Sequence, residues 1–183
     1  MLQPEEGAEI PDDHQVEWAP IAPYWSILWR SGVALARELE ALPLRGRRVI
    51  ELGCGLGVPS IAAARAGAVV LATDTEPDAL ALVERNAAAN AVGLDTARVD
   101  WAAPEKLIER GPFDLVLGAD VLYERPSVTR LLKLLPELAP EALIADPGRP
   151  AADAFLEEAR RRWEVGTSEH GVVSVYRLRF GAE

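Results

Sequence analysis

A chain of 183 residues, 49% hydrophobic and 26% charged, has the balance of one globular domain. Its 29 acids against 19 bases give a net charge of −10, which argues against a nucleic-acid binder that neutralises phosphates and suits a cationic partner. One cysteine and two histidines exclude a disulfide framework and a Cys/His zinc cluster, so no metal is expected and the expected compartment is the reducing cytoplasm.

Residues 1–17 are rich in Pro, Glu and Asp without an apolar period, and read as a solvated N-terminal arm before a single domain over 18–183. The opening Met1-Leu2-Gln3-Pro4-Glu5-Glu6 lacks the basic start of a signal peptide, and no apolar run reaches the length of a membrane span. Neither secretion nor membrane association is expected. From Trp25 the residues Leu28, Trp29, Gly32, Leu35, Ala36 and Leu39 recur at three- and four-residue steps, predicting one amphipathic helix that ends near Pro43.

Short apolar runs then alternate with helical stretches. Strands are expected over 48–52, 69–73, 97–99, 113–117 and 142–145, with helices over about 59–66, 77–91, 126–138 and 151–163. Pro59, Pro77 and Pro126 fall near helix starts, where a missing N–H costs nothing. Continuously apolar strands separated by helices predict an α/β fold with a parallel sheet covered on both faces. The runs 164–169 and 172–180 are separated only by His170-Gly171, so they predict a C-terminal antiparallel hairpin. The sequence carries no self-evident dimerisation signal, and the oligomeric state stays open.

Glu51-Leu52-Gly53-Cys54-Gly55-Leu56-Gly57 follows the first strand and precedes a helix. Glycines allow the backbone to approach a ligand, and a helix N-terminus offers unpaired N–H groups, so a nucleotide-like ligand is expected here. The third glycine comes one place early for a dinucleotide fingerprint, which disfavours NAD. Asp74 ends the second strand beside the same crevice. It is placed either to accept ribose hydroxyls or, with Thr75, to cap the next helix. Asp100-Trp101 follows the third strand, where an indole either lies against a purine with the acid on its exocyclic amine or packs in the core. Asp120 ends the fourth strand, across the switch-point crevice from the glycine loop, as a reaction-site acid or a helix cap; Tyr123 is close enough to share the pocket.

The run 49–57, with Asp74, Asp100-Trp101 and Asp120-Val121-Leu122-Tyr123, resembles the class I, seven-β-strand S-adenosylmethionine-dependent methyltransferases. More narrowly it is similar to the lysine methyltransferase group marked by Asp-x-x-Tyr, methyltransferase family 16. Pro23-Tyr24-Trp25-Ser26-Ile27-Leu28-Trp29 and Asp146-Pro147-Gly148-Arg149 are similar to the branch directed at the electron-transfer-flavoprotein β-subunit. The resemblance implies a Rossmann-like, mostly parallel seven-stranded sheet with a reversed last strand. It implies S-adenosylmethionine as cofactor, held by Trp29 of the leading helix, Glu51, Gly53, Cys54, Gly55, Gly57, the ribose acid Asp74 with Thr75, the adenine-side pair Asp100 and Trp101, and the backbone of Ala119. It implies Asp120 and Tyr123 as catalytic residues, Asp120 holding the target amine and Tyr123 walling the channel.

The implied reaction is an in-line methyl transfer that needs no metal and no covalent enzyme intermediate, so positioning supplies most of the acceleration. Asp120 as a general base is left open, because its carboxylate would also stabilise the protonated, unreactive lysine. The expected function is N-methylation of protein lysines. A small-molecule amine or pyridine-type acceptor is the alternative, favoured by a deep closed pocket, and a non-catalytic cofactor-binding module is the third reading. After Arg149 the sequence continues Pro150-Ala151-Ala152-Asp153, a departure from the flavoprotein-directed branch that leaves the acceptor open. Asp146 and Arg149 either help hold the partner or serve a strand-end turn.

Overall fold

The computed structural model describes residues 23–181; the expected arm over 1–17 and the domain start at 18 lie outside them. Strands β1 (Arg48–Leu52), β2 (Val69–Asp74), β3 (Asp95–Arg98), β4 (Leu115–Ala119), β5 (Glu141–Asp146), β6 (Glu164–His170) and β7 (Val173–Arg179) form one sheet in the order β3-β2-β1-β4-β5-β7-β6. The first five strands pair in parallel, and β7 inserts antiparallel between β5 and β6. The helices are α1 (Arg30–Leu39), α2 (Val58–Arg65), α3 (Pro77–Ala89), α4 (Glu105–Ile108), α5 (Arg125–Leu138) and α6 (Pro150–Arg162). Proline occupies the first or second position of α2, α3, α5 and α6, where it removes no helical hydrogen bond.

Successive strand residues point to opposite faces, so each central strand feeds two cores. Val49, Val70, Leu117 and Leu143 meet Leu35 and Leu39 of α1 and Ala63 of α2. Ala72, two residues beyond Val70 and so on the same face, meets Leu80 and Val83 of α3. On the other face Ile50, Val116 and Ile144 meet Leu131 and Leu135 of α5 and Phe155 of α6. Phe155 is fully buried, and truncation to alanine there would cost about 3–5 kcal/mol. Covering both faces is what makes these strands read as near-continuous apolar runs.

Several boundaries differ from the sequence expectation. The leading helix starts at Arg30 rather than near Trp25: Tyr24–Ser26 form a 3-10 turn and Trp29 is the extended N-cap. Local bonds hold that turn, with the Ser26 hydroxyl donating to the Pro23 carbonyl and the Trp29 indole donating to the Tyr24 carbonyl at 2.9 Å. Phe113 is buried but precedes the β4 ladder, its N–H going to the Leu138 carbonyl. The helix α4 was not expected, since four residues are too few to show a period. The hairpin turns at Gly171-Val172, one residue later than expected.

From β1 the chain builds outward to β2 and β3, then returns to place β4 on the other side of β1. That reversal opens a crevice at the carboxyl ends of β1 and β4, where Leu52 and Gly118 stand in register. No helix among the described residues is long and apolar enough to cross a membrane.

Candidate active site

Residues 53–57 carry the chain from β1 into α2 and are tied to β2. The Cys54 N–H donates to the Thr73 carbonyl at 2.9 Å, and the Gly55 N–H donates to Asp74 Oδ2 at 3.0 Å. Gly55 has φ +48, and a Cβ there would stand 3.0 Å from the Trp25 carbonyl oxygen. Its missing side chain lets the 24–26 turn lie down on the loop as one wall of the crevice. Gly57, expected in the cofactor cradle, has φ +75 and caps α2 between Leu56 and Val58, which line the cleft; a Cβ there would point to α3 and meet both Val83 methyls at 2.9 Å. It serves the close approach of α3.

Glu51 is buried at the floor, and its Oε2 accepts from the Ser60 N–H at 2.9 Å and from the Ser60 hydroxyl. Burial pushes this carboxyl up to about 8, with the Asp74 charge adding and the two Ser60 bonds opposing. Cys54 is also buried; desolvation, then the Glu51 and Asp74 charges, push its thiol well up, which leaves it unreactive. Asp74 does not cap α3, whose N-cap is Glu76; its Oδ1 accepts from the Glu76 N–H at 3.1 Å in a local turn. Thr75 is exposed on the rim. Asp100 is exposed and accepts from the Ala102 N–H at 2.8 Å. Trp101 is half-buried and packs on the main core, and its ring also covers Gly53, where a Cβ would lie 3.5 Å away. Trp101 thus packs on the core and lines the cleft as well.

Opposite the loop, Ala119 ends β4 and Asp120 turns with φ +61, a conformation that Asp tolerates better than most residues. Its Oδ1 accepts from Arg149 Nε and its Oδ2 from the Ser31 hydroxyl at 3.1 Å, leaving the side chain 7% exposed. Asp146 Oδ1 accepts from the N–H groups of Gly148 and Arg149 at 2.8 and 2.7 Å, which shapes the turn into α6. Its Oδ2 is buried without a partner, and burial, helped by the Asp120 charge, raises its pKa. The Arg149 guanidinium carbon lies 5.5 Å from the centre of the Trp29 ring. Trp29 was expected inside the leading helix and is corrected to the residue before it, its ring stacked on Tyr24 at 6.3 Å. Tyr24 and Tyr123 stand at the mouth, 74% and 55% exposed.

Together these elements enclose an open cleft of about 1040 Å³, lined by every expected site residue except Gly57. Sequence reasoning missed Ser60, Ser31 and the bond from Arg149 to Asp120. Ser60 carried a signal, a hydroxyl in the first turn of the helix after a strand-end acid. Ser31 carried none, because its partner is 89 positions away.

The family profile described as lysine methyltransferase matches residues 24–157. The protein N-lysine methyltransferase METTL21A of Danio rerio is 34% identical over 76% of this chain and 69% of its own. The electron transfer flavoprotein beta subunit lysine methyltransferase of Xenopus laevis is 38% identical over 72% of this chain and 55% of its own, so this chain spans about half the length of that relative. The EEF1A lysine methyltransferase 3 of Mus musculus is 37% identical over 83% of this chain and 71% of its own. Among solved structures, the magnesium protoporphyrin IX methyltransferase of Synechocystis with bound SAM superposes with TM-score 0.65 at 18% identity, covering 83% of this chain and 79% of that one. A ribosomal protein L11 methylase from Lactobacillus delbrueckii gives 0.63 at 22%, covering 82% and 79%. Such unlike acceptors on one architecture limit this structural likeness to the fold.

Proposed function

This chain belongs to the lysine methyltransferase family, whose cofactor is S-adenosylmethionine, and from that premise we propose that it methylates lysine side chains of a protein substrate. The observation that carries the reading is Asp120 facing the glycine loop across the switch-point cleft, with Tyr123 exposed at the mouth beside it. An acceptor side open at Tyr24 and Tyr123 suits a side chain presented from a protein surface better than a small molecule enclosed from water.

The cleft fits the cofactor on its own chemistry. Its volume, a flat indole over a side-chain-free Gly53, the Asp74 carboxylate and a buried Glu51 that a cation would ionise match a base, a ribose and a cationic amino-acid tail. In this assignment Trp101 and Asp100 hold the adenine, Asp74 with Thr75 the ribose edge, Gly53, Cys54 and Gly55 the backbone cradle, Glu51 and Trp29 the amino-acid end, and Ala119 a main-chain contact. When bound there, S-adenosylmethionine supplies a methyl group carried on a sulfonium. Asp120 orients the acceptor amine by hydrogen bonding, and Tyr123 walls its approach. The acceleration comes from holding the amine in line, an effect worth several kcal/mol when two reactants are fixed together. A single cysteine, itself buried, supports placing the enzyme in a reducing cytoplasm.

The test is transfer of a tritiated methyl group from S-adenosylmethionine into a cytosolic extract of the source organism, resolved into protein and small-molecule fractions. Label in a discrete protein band, recovered as methyl-lysine on hydrolysis, is the expected result. Label confined to the small-molecule fraction overturns the protein substrate.

A further inference from the structure

A lysine beside an unpaired carboxylate is stabilised as the ammonium, and attack requires the nitrogen lone pair. An acceptor site built on Asp120 alone would therefore hold its substrate in the unreactive form. The carboxylate, however, is already engaged: Arg149 Nε donates to Oδ1, and the Ser31 hydroxyl donates to Oδ2 at 3.1 Å. A carboxylate offers about four lone-pair sites, so each oxygen keeps room for one more donor while the net charge is matched. Arg149 is in turn held at the start of α6 by the bond from its N–H to Asp146 Oδ1 and by the Trp29 face beneath its guanidinium. Its side chain is 32% exposed and lines the cleft.

We infer that Arg149 is a positioning residue that matches the charge of Asp120, so that Asp120 orients the acceptor amine by hydrogen bonding without retaining it as the ammonium. This rests on the lysine methyltransferase reading. The lysine first loses its proton to solvent. Its lone pair then forms the nitrogen–carbon bond as the carbon–sulfur bond breaks and returns its pair to sulfur, and the positive charge passes from sulfur to the new methylammonium. Among the described residues, Asp146 stands behind the pair on β5, and Tyr123 and Glu124 between β4 and α5, Arg130 on α5 and Tyr24 on the facing wall line the same cleft. None of these contributes a cation in contact with Asp120 in place of Arg149.

The experiment measures label incorporation into protein lysines of the cytosolic extract by wild type, R149Q and R149K between about pH 6.5 and 9.5. Cofactor is saturating throughout, and its Kd and the Tm are determined for each protein. R149Q is expected to lose up to about tenfold in rate near pH 7.5 and to recover towards wild type near pH 9.5, with its midpoint displaced upward by about one unit. Its KM for the labelled protein stays level or falls, because an ammonium then binds Asp120 more strongly. R149K keeps the wild-type midpoint. A loss in R149Q by the same factor at every pH, or a raised KM with unchanged kcat, overturns the inference. R149M, which keeps the stem over Trp29, carries the same test should R149Q not fold. Absence of any protein label with wild type is a different outcome, for it overturns the lysine methyltransferase reading itself.

Discussion

Gly55 and Asp74 are joined across the base of the cleft by a bond of 3.0 Å from the Gly55 N–H to Asp74 Oδ2. One carboxylate thus ties the loop after β1 to the end of β2, while Oδ1 accepts from the Glu76 N–H at 3.1 Å and organises the step into α3. A group that both shapes the loop and lines the cleft makes ligand binding and loop geometry inseparable there.

Asp74→Ala is therefore expected to weaken S-adenosylmethionine by roughly 1–3 kcal/mol, about fivefold to 150-fold, through lost charge-assisted hydrogen bonds. Asp74→Asn retains an acceptor for the Gly55 N–H and should lose less. Titration calorimetry with the two variants measures this directly. An Asp74→Ala affinity equal to wild type would remove the residue from the ribose edge.

Gly55 and Gly57 should separate cleanly when each is changed to alanine. At Gly57 the new Cβ meets Val83 at 2.9 Å with φ at +75, so the cost falls on stability, about 1–3 kcal/mol, and the folded fraction binds cofactor nearly as before. At Gly55 the Cβ meets the Trp25 carbonyl at 3.0 Å and displaces the wall of the cleft, so cofactor affinity falls as well. Denaturant unfolding and cofactor titration on both variants check this. Equal affinity losses at the two positions would contradict a Gly57 that serves mainly the close approach of α3.

The sequence made the sheet legible where both faces are buried: β1 was bounded at Arg48–Leu52 because four of its five residues are apolar or floor the cleft. It was less legible at the edge strand β3, whose half-exposed residues give no apolar run. The 24–29 segment misled because its aromatics recur at helical steps while serving a turn and a cleft wall. Site residues confined to one loop could be read from spacing. The contacts of Asp120 could not, since Arg149 and Ser31 lie 29 and 89 positions away and only the pairing of β5 beside β4 and the packing of α1 on both strands bring them together.

Asp120→Asn keeps a residue that tolerates φ +61 and removes the charge. Transfer should fall by about a hundredfold or more, while cofactor affinity stays within about threefold, because Asp120 is assigned to the acceptor and not to the cofactor. Single-turnover rates alongside cofactor Kd provide the comparison. A collapse of cofactor affinity with preserved turnover at saturation would reverse the assignment.

Glu51 gives the sharpest dependence on pH. Burial, reinforced by Asp74 and opposed by Ser60, pushes its carboxyl up to about 8 from the ordinary 4.5. Between those values the folded protein binds a proton that the unfolded chain releases, so this group's contribution to stability is full below 4.5, declines as pH rises and is gone above about 8. Glu51→Gln has no such proton, and the Tm of wild type relative to this variant should drop steadily from about pH 5 to 8.5. A cofactor that brings a sulfonium and an ammonium to this floor favours the ionised carboxylate. Binding near pH 6.5 should then release a proton, and affinity should rise with pH towards 8 in the wild type more steeply than in Glu51→Gln. Calorimetry in two buffers of different ionisation heat reads the released proton directly, and identical heats in both would take Glu51 out of contact with the cationic end of the cofactor.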